Sequence, residues 1–130
     1  MRPRNELRKY GKKERPEYKD GAEFFTIKMY HSGQWNEYMT KYSGGKIDYF
    51  DFCSIDKLSI IEITHMHAEC GDDKGGLVKN WYKKPFVTMK NGLSSMSTDK
   101  DVMKMTELLN IKVGYMEVFV TVEKYVRIYG

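Results

Sequence analysis

Apolar and polar residues alternate with a period of two over EFFTIKMYH (23 to 31), with Phe25, Ile27 and Met29 on one face and Thr26, Lys28 and Tyr30 on the other. That period predicts a half-buried strand. Ser32-Gly33 reads as a two-residue turn and QWNEYMTKY (34 to 42) as an aromatic-rich return strand, so residues 23 to 42 are expected to form a β-hairpin. Gly44 and Gly45 supply a tight or bulged turn before KIDYFDF (46 to 52), which extends the hairpin. The cleanest alternation is YMEVFVTVE (115 to 123), where Met116, Val118, Val120 and Val122 oppose Tyr115, Glu117, Phe119, Thr121 and Glu123.

Between these strands the period changes. Ile63, Met66, His67 and Cys70 recur at helical spacing, Asp56 stands ahead of them as a cap and Gly71 offers a stop, which predicts a helix over about 57–70. LVKNWYKK (77 to 84) has strand composition and ends at Pro85, and Asn91-Gly92 marks a reversal in the turn-rich stretch that follows. Thr98 opens a capping box with Asp101, and Val102, Met105 and Leu109 make the apolar stripe of a second helix over roughly 99–109. The resulting plan is α+β: two helices and a mixed sheet of four to five strands, the first helix across one face and the last strand parallel to the first at the centre.

The 130 residues, 41% hydrophobic and 14% aromatic, suit one packed domain rather than a disordered chain. No apolar run approaches the roughly 18–20 residues of a membrane span, and the polar start lacks the apolar core of a secretory signal, so no membrane association is expected and an intracellular protein is. Two cysteines, Cys53 and Cys70, agree with a reducing compartment. Residues 1 to 20 hold eight of the 22 Lys/Arg but four of the 18 Asp/Glu, which places the whole net charge of +4 there and leaves 14 of each sign beyond. The chain therefore divides into a basic, solvated arm (1 to 22), a folded domain (23 to 124) and a short tail (125 to 130). The arm residues Arg2, Arg4, Arg8, Lys9, Lys12 and Lys13, joined by Lys79, Lys83 and Lys84 with Trp81 or Tyr82 as stacking surface, form the basis of an alternative function, a small nucleic-acid-binding domain; otherwise the arm is expected to bind nucleic acid only weakly and non-specifically.

Candidate chemistry is sparse. Asp48, Asp51 and Asp56 are spaced three and five apart without the glycine of a calcium loop, and Asp48 and Asp51 point to opposite faces of an extended segment. Of the zinc candidates Cys53, His65, His67 and Cys70, the two histidines diverge by about 200° on a helix, and no CxxC or HxxxH occurs. His67 and Cys70 share the apolar face of Ile63 and Met66, which makes them packing residues. No nucleophile elbow, P-loop or dinucleotide fingerprint is present. Accordingly no catalytic residue, metal, cofactor or small-molecule substrate is expected.

From Phe24 to Glu123 the chain resembles the plant Phox-and-Bem-like (PB-one-like) domain at the N-terminus of Mutator-like element (MuDR-type) transposases. The resemblance lies in FTIKMYHSGQW, in YSGGKIDYFDF, in SIDKLSIIEI with Gly71, in WYKKP, and in GLSSMSTDKDVMKM, taken in that order. It implies a ubiquitin-like β-grasp fold, a non-catalytic protein-binding role and a nuclear location. Phox-and-Bem domains pair front to back, a first-strand lysine meeting an acidic loop. Lys28 stands at the place of that lysine, which implies a protein partner with an acidic Phox-and-Bem-type surface. The acidic side is replaced by Lys83-Lys84-Pro85, so self-polymerisation is not expected.

Overall fold

A computed structural model of the chain describes residues 6–9, 16–19, 23–72, 75–109 and 113–124. In chain order the elements are β1 (Glu6–Lys9), β2 (Phe24–Trp35), β3 (Tyr42–Ser54), α1 (Ile60–Glu69), β4 (Gly76–Lys83), α2 (Met89–Gly92), β5 (Leu93–Met96), α3 (Asp99–Glu107) and β6 (Tyr115–Lys124). The strands make one mixed sheet in the order β1-β3-β2-β6-β4-β5. β2 lies parallel to β6, with Ile27 opposite Met116 and Met29 opposite Val118, and antiparallel to β3. This is the β-grasp arrangement, with the first long strand and the last side by side at the centre.

Alternation along the two central strands builds the core. Phe25, Ile27 and Met29 of β2 and Met116, Val118 and Val120 of β6 are all buried, and Ile63 and Met66 of α1 with Val102 and Met105 of α3 join the same cluster. Both longer helices therefore cover one face of the sheet. Their starts are tied together, since the Ile60 amide donates to Asp99 Oδ1 at 2.9 Å. The Thr98–Asp101 capping box forms as its spacing predicts, and Gly71 adopts φ +81, the left-handed conformation of a helix stop.

Three expectations are corrected. The hairpin does not turn at Ser32-Gly33: β2 runs through them with Ser32 at φ 64, and the reversal comes at residues 36–41, where Asn36 Oδ1 accepts from the Thr40 and Lys41 amides at 2.8 and 3.0 Å. Gly33 is needed for close approach instead, because a Cβ there would stand 2.5 Å from the Tyr42 ring. The first helix is capped by Ser59, whose side chain accepts from the Glu62 amide, not by Asp56. Among the described residues the sheet has six strands and there are three helices, because the reversal near Asn91 is a helical turn leading into edge strand β5, and β1 adds the other edge.

β1 also revises the solvated arm where the arm is described. Leu7 pairs opposite Phe50 and Arg8 opposite Tyr49. The Arg8 guanidinium grips Asp51 through Nε at 2.8 Å and Nη2 at 3.1 Å and lies 4.3 Å from the Tyr49 ring centroid. Asp51 also accepts from Thr26 Oγ1 at 2.8 Å. Next to it β3 carries a bulge: residues 51 and 52 oppose Thr26 alone, and Phe52 takes φ 59. The hydroxyl of Tyr18 fills this bulge, accepting from the Phe52 amide at 3.0 Å and bonding Thr26 Oγ1 at 2.8 Å.

The Arg8–Asp51 pair should therefore matter for stability. Removing one partner of a largely buried pair strands the other charge. Arg8→Ala is expected to lower the free energy of unfolding by about 3 kcal/mol, measured by urea denaturation. A loss below ~0.5 kcal/mol, the size of an ordinary surface change, would show that the Arg8–Asp51 pair does not hold β1 to the sheet.

Candidate functional site

Opposite the helices the sheet presents an aromatic face. Phe119 of β6 is only 2% exposed although neither α1 nor α3 covers it. Tyr30 stacks on it at 4.4 Å and 12°, and Trp35 and Tyr42 lean on it at 5.2 and 5.6 Å. Trp81 extends the cluster through an edge contact with Trp35 at 5.8 Å. The Tyr42 hydroxyl donates to the Val120 carbonyl at 2.7 Å and accepts from the Gly33 amide at 2.8 Å. Burial pushes that phenol up to about 12. Burial, and then the hydrogen bond to Glu117 at 2.5 Å, raises the Tyr30 phenol as well.

Lys28 projects from β2 on this face, between Tyr49 of β3 and Glu117 of β6 in the register. Its ammonium lies 5.2 Å from the Tyr30 ring centroid, within cation–π range. Glu117 is already engaged by Tyr30 and by Lys83 at 3.7 Å. Among the described residues no carboxylate forms an ion pair with Lys28. The side chain is half-buried rather than fully exposed.

The cations considered for nucleic acid are dispersed. Arg2, Arg4, Lys12 and Lys13 lie outside the described residues. Arg8 and Lys9 are bound to Asp51 and Asp48, Lys79 pairs with Glu123 at 3.0 Å, and the Lys83 ammonium donates to the Val87 carbonyl at 2.8 Å. Lys84 is exposed. Trp81 and Tyr82 point to opposite faces, Tyr82 into the core.

On the helix side the structure assembles polar groups that are scattered along the chain. His31 ends the apolar face of β2 and is fully buried. Its Nε2 lies 2.7 Å from Asp48 Oδ2 and its Nδ1 2.8 Å from Asp72 Oδ1. The second oxygen of Asp72 meets His67 Nε2 at 2.7 Å, and the Ser32 hydroxyl donates to the first. Lys9 of β1 reaches Asp48 at 3.4 Å. Cys70, the C-cap of α1, sits beside them, its thiol donating weakly to the Met66 carbonyl at 3.4 Å. Burial first, then the charges of Asp48 and Asp72, push this thiol up to about 12.

His67 and Cys70 do share a face, yet their partners are His31, Asp48 and Asp72, not Cys53 or the exposed His65. Spacing could not find this set, because residues 31, 48 and 72 meet only once β2, β3 and the stop after α1 are in place. The one sequence signal was His31 itself, a titratable residue in phase with Phe25, Ile27 and Met29.

Asp72 generates a pH prediction. Desolvation raises its carboxyl, but hydrogen bonds from Ser32, His31 and His67 outweigh it and hold the group below its ordinary 3.8. On acidification the unfolded chain binds this proton first. The stabilisation is thus complete above 3.8 and is lost as pH falls through the lower folded value. The stability difference between the wild-type protein and Asp72→Asn should narrow as pH falls below about 4, as read by denaturant unfolding at each pH. A difference that widens below about pH 4 would contradict the assignment.

No helix among the described residues is long and apolar enough to cross a membrane. No curated protein and no solved structure matches the chain. A family model described as PB1-like domain matches residues 21–122, which takes in β2 through nearly all of β6. The grasp topology and that match agree on the same stretch of sequence, and the chain belongs to the PB1-like domain family.

Proposed function

We propose that this PB1-like domain is a non-catalytic protein–protein interaction module that engages an acidic, Phox-and-Bem-type partner through Lys28, in a nuclear protein of the plant Mutator-like transposase kind. The observation that carries this reading is the position of Lys28. It stands mid-strand on β2, on the sheet face away from α1 and α3, with its ammonium over Tyr30 and no carboxylate pairing it among the described residues. An ammonium partly stripped of water over an aromatic ring is poised to take a partner's carboxylate at a lower desolvation cost than a fully hydrated lysine.

Family membership supports the interaction role in general, and the resemblance of the sequence segments supports the transposase setting. The counter-face does not follow the front-to-back pattern. After Trp81-Tyr82 the chain reads Lys83-Lys84-Pro85, and the Lys83 ammonium is held by the Val87 carbonyl. The module is therefore one-sided and binds without polymerising.

Lys28→Gln is the cleaner test, since Lys28→Glu would set a carboxylate beside Glu117 in the register. Losing one member of a desolvated ion pair costs about 2–5 kcal/mol, roughly thirtyfold or more in affinity. Lys28→Gln should weaken binding to an acidic Phox-and-Bem domain by at least that factor in calorimetry. Its Tm should stay close to the wild-type value, because such substitutions shift stability by less than ~0.5 kcal/mol. Unchanged affinity would remove Lys28 from the interface.

A further inference from the structure

His31, Asp48 and Cys70 each offer one ligand atom, and the three atoms lie within 4.8 Å of one another. They are an imidazole nitrogen, a carboxylate oxygen and a sulfur, the donor types that Zn²⁺ accepts together. We infer that these three side chains form a Zn²⁺ site of mixed nitrogen, oxygen and sulfur ligation, with its fourth position open to the adjoining cleft. The inference goes beyond the interaction role and is independent of it, since Lys28 lies on the opposite face of the sheet.

Four features beyond proximity carry it. The first is charge: a Cys70 thiolate and the Asp48 carboxylate together balance a dication, with His31 as the neutral third ligand. The second is the outer shell. A ligating histidine characteristically donates its other nitrogen to a carboxylate, and His31 has that partner in Asp72, 2.8 Å from Nδ1. Asp72 is in turn fixed by Ser32 and His67. The imidazole is thus oriented with Nε2 towards Asp48, not free to rotate.

The third is a route in. A cleft of about 690 Å³ is bordered by Lys9, Gly44, Gly45, Lys46, Asp48 and Cys70, so two of the three ligands line it. The fourth is the weakness of what a metal would displace. Cys70 makes weak contacts with the Met66 carbonyl at 3.4 Å and the Met29 sulfur at 3.9 Å, and Lys9, whose side chain is 52% exposed, meets Asp48 at 3.4 Å. Ligand atoms around a tetrahedral zinc stand about 3.3–3.8 Å apart. Closure thus asks for a modest move of the sulfur and a slight opening of the 2.7 Å His31–Asp48 contact.

Binding exchanges protons for metal. The Cys70 thiol loses its proton to solvent as the sulfur–metal bond forms, and Nε2 of His31 must present its lone pair rather than a hydrogen. Affinity should therefore fall as pH is lowered. No electron transfer is involved.

The test uses the full chain with Zn²⁺ or Co²⁺ alone. Zinc titration against a chromophoric chelator should reveal one equivalent per chain, and added zinc should raise Tm reversibly by chelation. The Co²⁺ form should show a near-ultraviolet sulfur-to-metal charge-transfer band. Cys70→Ser, which keeps the size of the side chain, should abolish that band. Asp72→Asn, which loosens only the outer shell, should weaken zinc binding by about 10- to 100-fold. No stoichiometric binding at micromolar zinc, or a charge-transfer band that survives Cys70→Ser, would overturn the inference.

Discussion

The parallel pairing of β2 with β6 is the constraint from which the rest follows. β2 is hydrogen-bonded on both edges, to β3 and to β6, so its two faces are fixed by the alternation of its side chains. Phe25, Ile27, Met29 and His31 must then face α1, while Thr26, Lys28 and Tyr30 must face away. A slip of one residue would exchange these sets, burying a lysine and exposing the core. Register is thus tightly specified, and both candidate sites inherit their positions from it.

The two faces solve different problems. The helix side is closed by aliphatic and methionine packing and ends in the polar cluster at His31, where burial is tolerated because each ring nitrogen meets a carboxylate. This cluster also fastens the end of α1 to the sheet through His67 and Asp72. The other side has no covering helix among the described residues, and its aromatic side chains shield one another instead, Tyr30, Trp35 and Tyr42 enclosing Phe119. A self-covered aromatic face leaves Lys28 within reach of a partner without exposing a large aliphatic patch.

Much of the architecture was legible because it is written in local signals. The alternation of residues 115–123, the Thr98–Asp101 capping box and the Gly71 stop each correspond to an element found where expected. The misplaced hairpin turn shows the limit of such signals. Ser32-Gly33 has turn chemistry, but Gly33 serves the close approach of Tyr42, and only the hydrogen bonds of Asn36 place the reversal. β1 was hidden for a related reason: its charges read as a solvated run, whereas Arg8 and Lys9 are matched by Asp51 and Asp48 some forty residues away. The sheet face on which Lys28 stands was legible from strand phase. The cluster of His31, Asp48, Cys70 and Asp72 was not, because its members share no spacing, only a place in the folded sheet.

If the β2–β6 pair is the frame, it must be the last part of the sheet to open. Native-state hydrogen exchange measures this directly, residue by residue. Hydrogen-bonded amides within 26–30 and 115–119 should exchange only through global unfolding, with the free energy of denaturant unfolding, while those of the edge strands β1 and β5 exchange at lower cost. Central-strand amides that exchange as readily as those of the edges would contradict the account.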